Sequence, residues 1–326
     1  MRQKIKIKLV DFHTLNNQQI IDVLKDKYDV EFSDKPDYLI YGPFGLEHLK
    51  YDCIRIFYTS ECITPNFNEC DYAMGFDRLE FGDRYMRIPL YQLFQYRENY
   101  NKIKNRAVIT HEEIKQKKHF CNFIYSNCFA NDARTIIYEK LSKYKHIISG
   151  GRYKNNIGGC VKDKLAFQSI CKFSIAFENT SYDGYVTEKI MEAFAAGTVP
   201  IYYGDPRISD EFNPESFINV HDFNNLDEVV EYVKLIDGDD DRYYKMLNAP
   251  IVKNTDANLA DFLYYIFDQP IDMAWRRPHS QHSKANEARQ LRHIFFEKYI
   301  YKYYRKCLNL VVRIKTGTLL SGKRTI

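Results

Sequence analysis

The chain has 326 residues, of which 45% are hydrophobic, so it can bury a sizeable core and is not a disordered protein. This length suits two domains of ordinary size. The net charge is +4, yet 13 lysines and arginines face only 3 acidic residues from residue 271 onward. An acidic body therefore precedes a strongly basic tail, and with no DNA- or RNA-binding motif present we expect no nucleic-acid partner.

The eight cysteines form no C-x-x-C pair, which argues against a zinc site and favours reduced thiols. The N-terminal residues contain no long apolar run, and no later segment reaches the ~18 apolar residues of a membrane-spanning helix. We therefore expect a cytoplasmic protein.

The first third of the chain alternates between strand-like and helix-like segments. Residues 5–12 are predicted to form a strand, and residues 17–28 an amphipathic helix. Two short apolar runs, 38–41 and 53–58, follow as strands. This rhythm is typical of a parallel sheet covered by helices.

A polar stretch, 97–118, is predicted to link this region to a second alternating series. Strands are predicted at 120–125, 146–149, 173–177, 198–203 and 217–220, and helices at 132–144, 163–170, 187–196, 225–236 and 240–247. Two such series predict two Rossmann-like domains that face each other, with ligands at the carboxyl ends of the strands. We place the domains at residues 1–110 and 111–270, followed by a tail at 271–326.

The most informative segment is FSIAFENTSYDGYVTEKIMEAFAAGTVPIYYGDP. Its strand ends at Glu178 and Asn179, so both polar side chains are predicted at a carboxyl edge where a ligand would lie. Thr187 is placed to cap the next helix through its hydroxyl, and Gly197 to end it. The start of this helix directs unpaired N–H groups at the predicted cleft, which suits a diphosphate.

Lys189 lies in the first turn of that helix, where the helix dipole disfavours a cation. A lysine held there makes sense if an anion binds beside it. On position alone, a solvated surface lysine explains the sequence equally well.

The run FENTSYDGYVTEKI, with AGTVPIYYGDP after it, resembles the donor-binding motif of the α1,3/4-fucosyltransferases, glycosyltransferase family 10. Residues 57–91, 149–159 and 212–223 also resemble segments of bacterial members, so the resemblance covers roughly residues 1–270. It implies a two-domain GT-B fold and inverting transfer of L-fucose from GDP-β-L-fucose to an N-acetylglucosamine-type hydroxyl of an oligosaccharide acceptor. Acceptor choice is expected to reside in loops such as 42–50 and 60–70.

The resemblance also implies roles for particular residues. Glu61 matches the position of the general base, although a turn carboxylate would also fit there. Glu188 matches a donor-contacting position, where it could bind fucose hydroxyls or stabilise an oxocarbenium-like transition state; a dipole-favoured first-turn glutamate is the alternative. Tyr185 either contacts the donor or packs in the core. A basic residue of the glycine-rich loop is expected to bind phosphate, with Arg152 preferred and Lys154 as the alternative.

Lys189 completes this expected donor site, together with Glu178 and Asn179. No cofactor or metal is expected, because lysine, arginine and a helix start can stabilise the departing diphosphate. The acidic run Asp239–Asp241 is interpreted as a solvated loop or helix cap and not as a metal site.

A different pattern occupies the basic tail. Written as a helix over 298–315, it carries apolar and tyrosine side chains on one face and lysines and arginines on the other. This pattern is typical of a helix that lies on an anionic membrane surface, while packing against its own domain or a second subunit is the alternative. Two other functions stay open for the whole chain: transfer from another nucleotide sugar, and glycan or nucleic-acid binding without catalysis.

Overall fold

A computed structural model describes residues 2–12, 18–128, 130, 132–253, 258–296 and 300–315. The chain forms two compact units: the first combines Met1–Phe94 with Asp256–Lys306, and the second combines Gln95–Thr255 with Cys307–Ile326. Each contains one parallel sheet covered by helices, so the predicted α/β class with two sheets is confirmed.

The first sheet has six parallel strands in the order β2-β1-β3-β4-β5-β6. Its strands are β1 (Lys4–Val10), β2 (Asp29–Phe32), β3 (Tyr38–Tyr41), β4 (Ile54–Tyr58), β5 (Tyr72–Gly75) and β6 (Tyr85–Arg87), and helix α1 (Gln18–Lys27) connects the first two. Strand β1 alternates as the pleat requires, because Ile5 and Ile7 are buried while Lys4 and Lys6 are exposed. The central strands β3 and β4 are buried throughout, as expected for a parallel sheet covered on both faces.

The predicted polar link contains two helices, α2 (Phe94–Lys104) and α3 (His111–Lys115). Thr110 and Glu113 form a capping box at the start of α3, which explains why so polar a segment is helical.

The second sheet has the strand order β11-β10-β9-β7-β8, with every pair parallel. Its elements are β7 (His119–Phe123), α4 (Ala133–Ser142), β8 (Ile147–Ser149), α5 (Lys164–Ser169), β9 (Cys171–Phe177), α6 (Glu188–Ala195), β10 (Val199–Tyr203), β11 (Ile218–Asn219), α7 (Leu226–Asp237) and α8 (Asp240–Asn248). Asp239 accepts a hydrogen bond from the N–H of Arg242 and caps α8. The helix-cap interpretation of this aspartate therefore describes what the structure shows.

The chain then returns to the first unit through α9 (Leu259–Asp268), α10 (Ile271–Ala274) and α11 (Gln281–Phe296). Helix α9 buries Leu263, Ile266 and Phe267 against the core of the first sheet. The boundary predicted at residue 270 grouped α9 with the second domain, whereas this apolar packing joins it to the first unit.

Buried polar contacts attach the segment after α9 to the same unit. The guanidinium of Arg277 pairs with Asp71, and Arg55 pairs with Glu287 of α11 at 2.7 Å. The last described helix is α12 (Lys302–Lys315), and Lys298, where the tail helix was predicted to begin, lies outside the described residues. None of the helices in the described ranges has the length and apolarity needed to cross a bilayer.

Candidate functional site

Glu178 follows strand β9 and organises the start of α6. Its N–H donates to the carbonyl of Tyr203 at 2.7 Å, and its side chain is fully buried. One carboxylate oxygen accepts hydrogen bonds from the N–H and the hydroxyl of Thr187, each at 2.8 Å. The other accepts a hydrogen bond from Lys189 Nζ at 2.8 Å. Glu178 therefore holds both the first residue before α6 and the lysine in its first turn.

Thr187 occupies the N-cap position of α6, but its hydroxyl makes no capping hydrogen bond. The prediction of a hydroxyl cap was wrong, because the Thr187 hydroxyl donates to the Glu178 carboxylate and accepts a hydrogen bond from Lys189 Nζ at 2.8 Å instead of from a backbone N–H of α6. Thr187 therefore leaves the start of α6 without a hydroxyl cap, and the N–H groups of a helix start can bind an anion. Gly197 has φ +65° and follows the end of α6, as predicted.

Lys189 is buried within an ion-pair network, so the alternative of a solvated surface lysine does not hold. Its ammonium lies 2.8 Å from Glu178 and 3.5 Å from Glu188, and its side chain is 16% exposed. Burial alone would lower the pKa of Lys189, but the two carboxylates outweigh it and raise the pKa. The lysine therefore carries a fixed positive charge at the start of α6.

Glu188 stands at the first position of α6, beside Lys189 on the same helix and near Lys164 of α5. Burial alone would raise the pKa of Glu188, but Lys189 and Lys164 hold it below its usual value. Lys164 begins α5 and also pairs with Glu192, one turn further along α6. The carboxylates of Glu188 and Glu192 therefore each lie near a lysine at this side of the pocket.

Arg134, which the sequence interpretation did not select, is a further cation of the site. It lies in the first turn of α4 and is 2% exposed. Its Nη2 atom donates to the carbonyl of Phe177 at 2.8 Å and to Asn179 Oδ1 at 3.0 Å, while the guanidinium lies 4.0 Å from the ring centre of Tyr125. No carboxylate within the described part of the chain pairs with it. A buried cation without a counter-ion indicates a site for an anionic ligand.

These side chains surround a pocket of about 170 Å³ that lies entirely within the second unit. Its lining includes Arg134, Lys164, Asn179, Glu188 and Lys189. The pocket combines fixed positive charge, the uncapped start of α6 and a carboxylate. Such an arrangement can hold a phosphate group and orient a hydroxylated ligand beside it.

Three buried polar atoms of the pocket lining have no hydrogen-bond partner in the ranges that the structure describes. They are Asn122 Oδ1, Gln168 Oε1 and Arg134 Nε. Buried polar groups are nearly always satisfied, so these atoms indicate that a polar ligand or ordered water completes the pocket.

Several residues predicted for donor binding lie outside this lining. Arg152 is exposed, and Lys154 pairs with Glu139 at 2.8 Å. Tyr185 is 2% exposed, consistent with the packing role left open for it. Glu178 does not line the pocket either; it contacts the pocket through Lys189.

Glu61 belongs to the first unit, three residues after the end of β4. Its side chain is exposed, and its N–H donates to the Thr59 hydroxyl at 3.0 Å. This turn fixes the backbone and leaves the carboxylate accessible near the carboxyl end of β4.

Models of one protein family match both units. Residues 7–94 match the N-terminal domain of alpha-(1,3)-fucosyltransferase FucT, and residues 114–248 match the C-terminal part of glycosyltransferase family 10 (fucosyltransferase). These two ranges contain both Glu61 and the pocket.

Individual relatives agree with these matches. The chain is 37% identical over 266 residues to the alpha-(1,3)-fucosyltransferase FucT of Helicobacter pylori, an alignment that covers 71% of this chain and 55% of the relative. It is 35% identical over 140 residues to a mouse 4-galactosyl-N-acetylglucosaminide 3-alpha-L-fucosyltransferase, covering 42% of this chain and 38% of the relative. The chain thus spans about half the length of these relatives, or less.

Two solved structures match this chain over most of their own length. A crystal structure of an α1,3-fucosyltransferase with GDP-fucose superimposes with a TM-score of 0.69 at 30% identity, over 82% of this chain and 90% of that chain. The same TM-score is found for an α1,3-fucosyltransferase with GDP, at 28% identity over 85% of this chain and 94% of that chain.

Proposed function

Because the chain belongs to glycosyltransferase family 10, we propose that it transfers L-fucose from GDP-β-L-fucose to an N-acetylglucosamine-type hydroxyl of a glycan such as N-acetyllactosamine. The observation that carries this proposal is the buried Arg134, which has no carboxylate partner in the described chain and lies in the same pocket as Lys189. The similar α1,3-fucosyltransferases bind GDP-fucose and GDP, and the mouse relative's name specifies a galactosyl-N-acetylglucosaminide acceptor.

In the proposed reaction, the diphosphate of the donor binds between Arg134, Lys189 and the uncapped start of α6. These groups bear positive charge before the donor arrives, so little reorganisation is needed as negative charge grows on the departing GDP. The anionic charge of Glu188 makes it suited to the fucose hydroxyls or to positive charge that develops on the sugar ring. Both roles require the carboxylate, which the neighbouring lysines favour.

Transfer with inversion takes place in one displacement. The acceptor oxygen bonds to the anomeric carbon while the bond from that carbon to the GDP oxygen breaks. Glu61 takes the proton of the acceptor hydroxyl, and GDP leaves as an anion that needs no proton donor. No metal or cofactor is proposed, because the side chains named here supply the positive charge; activity that survives EDTA is the expected result.

The choice of nucleotide is the first test of this function. GDP and GDP-fucose should raise the thermal unfolding temperature of the protein, whereas UDP and UDP-sugars should leave it unchanged. Stabilisation by UDP-sugars alone would favour a transferase with another donor. Glycan binding without release of GDP would favour a non-catalytic protein.

We also propose that the tail binds an anionic membrane, which would hold the enzyme at the inner face of the cell membrane near lipid-linked or surface glycans. On α12, Tyr303, Tyr304, Leu308, Val311 and Ile314 are all exposed, and basic residues share the helix. An uncovered amphipathic helix of this composition suits the interface of an anionic bilayer. Sedimentation with anionic and neutral vesicles tests this: the protein should pellet with anionic vesicles only, and removal of residues 297–326 should abolish pelleting.

A further inference from the structure

Two carboxylates on α6 lie close enough to repel each other at the edge of the pocket. Glu188 and Glu192 are four residues apart, so both project from the same face of the helix. Their side chains are 21% and 14% exposed, which means that water screens them little. Without a nearby cation, the repulsion between the two carboxylates would favour protonation of one of them.

Helix α5 brings a cation to this face. Lys164, its first residue, pairs with the carboxylate of Glu192 and also lines the pocket alongside Glu188. The contact is made possible by Asp163, which caps α5 by accepting the N–H of Ala166 at 2.9 Å and so fixes where the helix starts. Lys164, Lys189 and Arg134 are all hydrogen-bond donors without an acceptor, so Lys164 influences the pocket through the carboxylates and not by bonding to the other cations.

We propose that Lys164 is a positioning residue for the donor site, whose charge keeps the Glu188 carboxylate ionised and directed into the pocket despite the neighbouring Glu192. This inference rests on the proposed fucosyltransferase function, because an ionised Glu188 affects the reaction only if the donor sugar binds in this pocket.

The charges that face Glu188 support this role. Lys189 and Glu192 lie on its own helix, Lys164 on α5, Glu178 after β9, and Arg134 on α4. Together with Glu188 itself, the set has three cations and three carboxylates. Loss of Lys164 leaves excess negative charge where a diphosphate and an ionised Glu188 must coexist.

The protonation behaviour agrees with the geometry. Burial raises the pKa of Glu192, with Lys164 opposing the rise, whereas Lys189 and Lys164 overcome the burial of Glu188 and lower its pKa. Removing Lys164 should therefore let Glu188 take up a proton at a higher pH than in the wild type.

Two substitutions that break the same ion pair distinguish this role from simple structural support. Lys164→Met removes the cation that favours the Glu188 carboxylate, while Glu192→Gln removes the anion that opposes it. The measurement is kcat/KM for GDP-fucose as a function of pH, with Lys164→Arg as the charge-preserving control. In Lys164→Met, the ratio of kcat/KM at about pH 5.5 to that at about pH 7.5 should fall about threefold or more relative to the wild type.

In Glu192→Gln, the pH at which kcat/KM falls on the acidic side of the profile (the acid limb) should stay the same or decrease. The acid limb of Lys164→Arg should match that of the wild type. If the acid limb of Glu192→Gln moves to higher pH as far as that of Lys164→Met, the proposal is overturned, since the effect would then come from loss of the Lys164–Glu192 ion pair and not from loss of the positive charge. An unchanged limb in Lys164→Met would also overturn it. Lys164→Gln provides the same comparison if the methionine variant does not fold. A wild type that neither binds GDP nor consumes GDP-fucose would instead refute the proposed function itself.

Discussion

Replacement of Arg134 by methionine tests whether the pocket is built for an anion. The guanidinium is held by the carbonyl of Phe177 and the side chain of Asn179, and it lies over the ring of Tyr125. In the free protein its charge is buried at 2% exposure without a carboxylate partner in the described residues. The methionine variant loses these contacts but also loses the cost of burying the charge.

The two effects should nearly cancel in the free protein but not in the complex. A hydrogen bond from a charged donor contributes about 1.5–3 kcal/mol, so removing the contact with the diphosphate should cost about 2–3 kcal/mol of GDP binding, roughly a 30- to 150-fold weaker Kd. The free energy of unfolding without ligand should change by only about 1–2 kcal/mol, because lost hydrogen bonds and relieved desolvation oppose each other. Arg134→Lys should fall between, since it keeps the charge but not the planar donor geometry.

Calorimetric titration with GDP and chemical unfolding measure these two quantities. Arg106→Met serves as the matched control, because Arg106 is another largely buried arginine of the same unit and donates to the carbonyls of Phe194 and Leu247. That variant should be less stable yet bind GDP with unchanged affinity. Wild-type GDP affinity in Arg134→Met would refute the electrostatic reasoning, as would a loss of stability much larger than the loss of binding.

Three further substitutions test the surrounding network. Lys189→Met should reduce the free energy of unfolding by about 3–5 kcal/mol, because it leaves Glu178 buried and unpaired; adding Glu178→Gln should recover much of this in urea unfolding, and no recovery would contradict the pairing. His48→Gln tests a buried histidine whose pKa burial would lower but two hydrogen-bonded carboxylates raise. The stabilisation that protonated His48 gives the wild type should be fully present below about pH 6.5 and disappear as pH rises through the raised pKa. The difference in free energy of unfolding between wild type and variant should therefore become smaller at alkaline pH, and a difference that grows there would contradict a raised pKa. Arg277→Met should destabilise the first unit by about 3–5 kcal/mol, measured by urea unfolding, because it leaves the buried charge of Asp71 without its cation; a near-neutral effect would contradict the contribution of this ion pair.

The second sheet was more predictable from the sequence than the first. Strands β7, β9 and β10 are runs of five or more residues with a strong apolar or aromatic pattern, and each was predicted near its observed place. Strands β2 and β6 have only four and three residues and carry charges, so their neighbours in the sheet determine them more than their own composition does. Helix α9 lies with the first unit because of long-range packing, which local periodicity cannot reveal.

The cations of the pocket show both the use and the limit of sequence reasoning. Lys189 was selected because a cation in the first turn of a helix opposes the helix dipole, and Arg134 bears the same signal at the start of α4. Applied to every helix that follows a strand, that rule would have found it. Arg152 and Lys154 were chosen because residues 149–159 resemble the basic loop of the family and arginine suits bidentate phosphate binding; in the structure Lys154 pairs with Glu139, and Arg152 is exposed outside the pocket lining. The direction of such loop side chains depends on contacts that the sequence does not specify.

The most direct test of fucosyl transfer is the release of GDP from GDP-fucose with and without N-acetyllactosamine, for the wild type and Glu61→Gln. The wild type should release GDP in an acceptor-dependent way, and Glu61→Gln should lose about a hundredfold or more of that rate while binding GDP normally, because only the proton acceptor has been removed. A Glu61→Gln variant as fast as the wild type would contradict the role of this carboxylate. A wild type that neither binds nor consumes GDP-fucose would contradict the proposed reaction as a whole.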